Sequence, residues 1–207
     1  MSTETQVHAE EHNRDNTGIR LGLWVFLFTE LILFGGLFLV YSVYRYTYPA
    51  DFHLAAQELN KIIGTFNTVI LLTSSLTMVL SIVAIQRSKR KLSLFFQFLT
   101  IILGFFFIIN KCFEWAAMFH QSIYSGSETL LNESKSYILF FDFYYVMTGL
   151  QGLHVIIGIV LISFMMRFTA KGYITHNNYV KLENTGLYWH LVAIIWIFLF
   201  SLFYLIT

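Results

Sequence analysis

Charge is the scarcest commodity in this chain of 207 residues: Asp, Glu, Lys and Arg together make up 12%, about half the share of an ordinary soluble domain. There is one proline, Pro49, so almost nothing interrupts a long helix. There is one cysteine, Cys112, which excludes a disulfide framework and a thiolate metal cluster. The net charge of +1 supplies no electrostatic argument for nucleic acid or acidic partners. Residues 1–18 lack an apolar core and a cleavage pattern, so they do not read as a secretory signal. They carry Glu4, Glu10, Glu11 and Asp15 against Arg14 and are expected to form a polar, mobile tail.

What is present is apolar. Hydrophobic residues make up 57% of the chain, with 22 Phe, 12 Tyr and 4 Trp. A membrane-crossing helix needs about 20 mostly apolar residues. Five stretches meet that length: 19–44, 62–86, 92–119, 137–168 and 184–206. The fourth is long enough to tilt or to project beyond the bilayer. The predicted fold is therefore all-α: one five-helix transmembrane domain over 19–207, with no internal repeat of the transporter kind.

Lys and Arg divide unevenly between the two sides. Arg14, Arg20, Arg87, Lys89, Arg90, Lys91, Arg167, Lys171 and Lys181 fall on one, and Arg45, Lys61 and Lys135 on the other. The excess predicts a cytoplasmic N-terminus and a C-terminus outside. Asn132-Glu133-Ser134 is formally a glycosylation sequon, but no secretory context supports it.

Ionisable and amide side chains inside such spans are expensive, and each demands a reason. The candidates are Glu30, Lys111, Glu114, Gln151, His154, Glu183, Trp189 and His190, buried polar positions of structural or lipid-cleft type. Asp142 lies near the start of the fourth span, where interfacial water accounts for it. Lys111 and Glu114 stand i, i+3 and share a helical face, so an internal ion pair is the simpler reading and a proton-carrying role the alternative. Gln151 and His154 share a face beside Gly149, Gly152 and Gly158, a surface that lets another helix approach. Glu183 and His190, seven apart, share a face of the fifth span near its cytoplasmic end, with Tyr188 and Trp189 expected as interfacial anchors.

Metal is not expected. The paired Glu-x-x-His of di-iron bundles is missing, and His154 and His190 are placed at different depths. The tail reads HAEEH over residues 8–12, which fits one metalloprotease pattern, but an acidic tail provides neither the catalytic domain nor the third ligand.

TGLQGLHVIIGI (148–159) and ENTGLYWHLVAIIWIFLF (183–200) resemble subunit III of the haem–copper respiratory oxidases, where the pattern runs TGxHGxHVxxG and then YWHxVDxxW. GLWVFLFTELILFGGLF (22–38), FNTVILLTSSLT (66–77) and GFFFIINKCFEW (104–115) resemble further segments of that family, in order and at the right spacing. Two positions depart: Gln151 stands where the family has His, and Ala193 where it has Asp. Five spans resemble the short prokaryotic form, and the Glu30 and Lys-x-x-Glu-Trp segments look most like the cytochrome c oxidase branch. Quinol oxidases and nitric oxide reductases are the alternative branches.

The resemblance implies a non-catalytic subunit of a proton-pumping oxidase in the bacterial inner membrane. Haem and copper would lie in subunit I, which reduces dioxygen to water, and none in this chain. Subunit III would flank subunit I, stabilise it, support proton uptake and hold phospholipid in a helix cleft, with a larger supercomplex as a further setting. Glu30 matches the family's carbodiimide-reactive carboxylate, which implies a neutral, hydrogen-bonded acid that is not an obligatory proton carrier. An independent transporter with Glu30 and Glu114 as a relay, and a lipid-binding scaffold without an oxidase, are the readings from other classes.

Overall fold

The computed structural model describes residues 3–121, 123, 134–176 and 178–205, and side chains from Thr17 onward except Ile19. Its helices are α1 (Thr3–Thr47), α2 (Pro49–Gln57), α3 (Lys61–Gln86), α4 (Arg90–His120), α5 (Lys135–Lys171) and α6 (Val180–Phe200), the last running into a π-helical turn, Ser201–Leu205. The segments long and apolar enough to cross a membrane are Arg20–Thr47, Lys61–Gln86, Arg90–His120, Lys135–Lys171 and Val180–Leu205. They coincide with the five expected spans to within a few residues. Ahead of the first, the backbone of residues 3–18, expected as a mobile tail, continues the α1 helix. No proline breaks that stretch, and its acids suit a helix N-terminus. Side chains 8–12, the HAEEH motif, and Asn132 and Glu133 of the sequon lie outside the described residues.

Helix ends follow local chemistry. The Asn60 side chain accepts from the amides of Ile62 and Ile63 and starts α3. Gly172, at φ 86°, ends α5 in the left-handed conformation that a C-terminal cap requires. Ser134 caps α5 through the Tyr137 amide. Pro49, placed in a connection by its sequence position, opens α2, which buries Phe52, Ala55 and Ala56. Asp51 on α2 accepts from Ser136 at 2.5 Å and Ser134 at 2.7 Å, tying α2 to the start of α5. Those two hydroxyls hold its carboxyl below the usual aspartate range.

The antiparallel pair α3–α4 forms the tightest interface, α5 packs on α4, and α6 closes the bundle against α3 and α5. Lipid is as apolar as leucine, so polar contacts and close packing hold such helices together. The α3–α4 seam carries Thr77–Thr100, Ser81–Ser93 and Asn110–Asn67 hydrogen bonds. α3 also holds α6 by Trp189 Nε1 to Ser74 and Trp196 Nε1 to Thr68. α1 rests on the outside, burying a narrow stripe at Leu27, Phe34 and Tyr41, spaced by sevens as in a coiled-coil seam. Trp24, Phe28, Ile32 and Leu39 point away from the bundle.

Candidate functional site

Glu30 belongs to the seam of α1, three residues past Leu27 and four before Phe34, and so meets α5. Its Oε2 lies 2.8 Å from His154 Nε2, with both side chains about nine-tenths buried. His154 Nδ1 lies 2.7 Å from the Leu150 carbonyl, which only accepts, so Nδ1 carries a hydrogen. Two residues 124 positions apart thus come within ion-pair distance and link α1 to α5. Phe34 packs edge-on against the imidazole, and Tyr188 donates to the His154 carbonyl at 3.0 Å.

A second buried cluster lies between α4, α5 and the π-helical turn. Lys111 Nζ donates to Glu114 Oε2 at 2.8 Å, to Tyr144 at 2.9 Å and to Tyr204 at 3.0 Å. The Tyr204 hydroxyl donates to the other Glu114 oxygen. Lys111 and Glu114 are 6% and 3% exposed, and the rings of Tyr144, Trp196 and Tyr204 lie within 5.6 Å of the ammonium. All three ammonium donors have acceptors, which is what a buried ion pair requires. This cluster does not touch the Glu30–His154 pair.

The remaining candidates separate. Glu183 accepts from Arg20 of α1 at 3.1 Å on the surface. His190 turns to α3 instead, with Nδ1 2.5 Å from Ser75 Oγ. Ser75 is close to the middle of α3, so His190 sits deeper than its expected place near the cytoplasmic end. Tyr188 and Trp189 are 3% and 1% exposed and are core residues rather than interfacial anchors. The reason is steric: Gly158 and Gly104 leave the hollow that the Trp189 indole fills. Gly149 likewise lies under Trp115, whereas Gly152 faces open space and is no packing contact. Gln151 is fully buried and donates to the Val192 carbonyl at 2.9 Å.

Sequence reasoning missed Ser75, Tyr144 and Tyr204. A tyrosine in a span and a serine in TSS carry no positional signal, since their partners lie 33 or more residues away. Among the described residues, no three His, Cys, Asp or Glu side chains gather as a metal site would need.

The sequence model of the family described as cytochrome c oxidase subunit III matches residues 1–207. The chain belongs to that family. Cytochrome c oxidase subunit 3 of Thermostichus vulcanus is 32% identical over 97% of this chain and 92% of its own length. The probable quinol oxidase subunit 3 of Staphylococcus saprophyticus is 29% identical over 90% of this chain and 88% of its own. A protein of Aeropyrum pernix named heme-copper oxidase subunit I+III is 26% identical over 91% of this chain, a region that makes up 23% of that longer protein. As a subunit III, the chain departs from the pattern it otherwise resembles at Gln151 and Ala193, and the structure brings the two near each other: the Gln151 amide donates to the Val192 carbonyl, next to Ala193.

Proposed function

We propose that this chain is the non-catalytic subunit III of a proton-pumping haem–copper terminal oxidase that reduces dioxygen to water. The whole-chain family match is the observation that carries the reading. The subunit stabilises subunit I and supports proton uptake at the cytoplasmic face, without haem or copper of its own. The Aeropyrum protein, whose name joins subunits I and III, supports subunit I as the principal partner. The chain is read as lying in the bacterial inner membrane with its N-terminus cytoplasmic, and phospholipid is its further ligand. A groove of about 310 Å³ between α1, α5 and α6, walled by Leu23, Phe26, Ile157 and Leu161, offers an acyl-chain-sized space.

Because quinol oxidase subunits stand among the relatives beside cytochrome c oxidase subunits, quinol is the second reading of the electron donor. A tagged chain purified in mild detergent, followed by reduced-minus-oxidised spectra, tests the assignment. Haem a bands with a large subunit, and oxidation of cytochrome c rather than quinol, are expected. Quinol oxidation alone selects the second branch, and a colourless solitary chain sinks both.

A further inference from the structure

α1 and α3 flank α6 without packing substantially on each other among the described residues. A trough between them leaves one stripe of α6 facing outward, at Leu187, His190, Ile194 and Phe198. His190 is the polar member of that stripe. It lies ten residues from Val180, or about 15 Å along the helix, and its partner Ser75 is 14 residues from one end of α3 and 11 from the other. Both are therefore well inside the apolar layer.

Imidazole has a polar nitrogen on each side, and both need partners where water is absent. His154 has the Leu150 carbonyl on Nδ1 and the Glu30 carboxyl 2.8 Å from Nε2. His190 has Ser75 on Nδ1, while Nε2 has no partner among the described residues and is not enclosed by them. An acyl chain offers nothing to it, and the flanking Leu187 and Ile194 are too apolar to keep a water there. On the α1 wall, Gly35 stands one turn before Phe38, which packs on Phe198, and has open space beyond its Cα. A second helix could approach closely there.

We propose that this trough receives a transmembrane helix of subunit I, and that a hydrogen-bonding side chain on that helix pairs with His190 Nε2. The inference rests on the oxidase reading. A photoreactive benzoylphenylalanine placed at Ile194, one turn from His190, tests it in the assembled complex, with the same probe at Phe106 on the outward face of α4 as the control. Ile194 is expected to cross-link to subunit I, and Phe106 is not. His190→Phe is expected to release subunit I roughly fivefold faster on detergent washing, the scale of one lost hydrogen bond, with His190→Gln between it and the unsubstituted chain. Cross-links from Ile194 to lipid alone, while subunit I still co-purifies, overturn the docking and leave the oxidase reading standing. No subunit I with the unsubstituted chain overturns both.

Discussion

Glu30 is retained within an apolar run because His154 answers it, and that pairing makes its substitutions unequal. In Glu30→Gln the amide keeps a polar group of the same shape against Nε2, so the α1–α5 link is expected to survive, with assembly and proton pumping unchanged. Glu30→Leu leaves the ring nitrogen buried and unpaired, an expected loss of about 1–3 kcal/mol seen as a lower unfolding midpoint in detergent. Pumping lost from a fully assembled Glu30→Gln oxidase would show instead that this acid carries protons obligatorily. Gln151 and Ala193 make a similar argument across α5 and α6. Ala193→Asp alone puts an uncompensated carboxyl where Ala193 is 3% exposed, and about 3–5 kcal/mol of destabilisation is expected. Adding Gln151→His offers a basic ring near that carboxyl, since the Gln151 side chain reaches the adjoining Val192 carbonyl, so the double variant should recover at least about 1 kcal/mol beyond additivity. Strictly additive unfolding free energies would mean that the two sites do not face each other.

At the scale of elements, glycines decide which helix faces meet. A Cβ at Gly158 would lie 2.6 Å from the Trp189 ring, which cannot retreat because it is buried and its Nε1 is held by Ser74. Gly158→Ala is therefore expected to cost about 1–3 kcal/mol and to loosen α6 from α5. Gly152→Ala meets nothing within 4 Å, so it should be neutral or stabilising by at most about 1 kcal/mol. Equal unfolding midpoints for the two variants would contradict the packing described. The sequence made both glycines look alike, because spacing shows that a small residue is present and not what stands opposite. The same limit hid α2, whose nine residues are too short for a span but bury Phe52 against Phe140. By contrast, Lys111–Glu114 was legible because its partners share one helix, whereas Glu30–His154 was not, since no periodicity links α1 to α5.

At the scale of the whole molecule, the basic residues gather by geometry as well as by count. The α3–α4 turn and the α5–α6 connection come together, with Ser88, Arg90, Gly172 and His176 around one hollow, and Arg20 joins them through Glu183. The three cations assigned to the other side, Arg45, Lys61 and Lys135, lie at the opposite end, where Asp51 of α2 ties down the start of α5. Lys and Arg resist translocation, so the richer end should be cytoplasmic. In a Cys112→Ser background, which removes the exposed native thiol, Glu58→Cys and Lys91→Cys report on the two ends. A membrane-impermeant maleimide added to intact cells is expected to label the thiol at position 58, and the one at 91 only after permeabilisation. The reverse pattern would invert the chain in the membrane. It would also move any support of proton uptake away from the Arg20–Glu183 end.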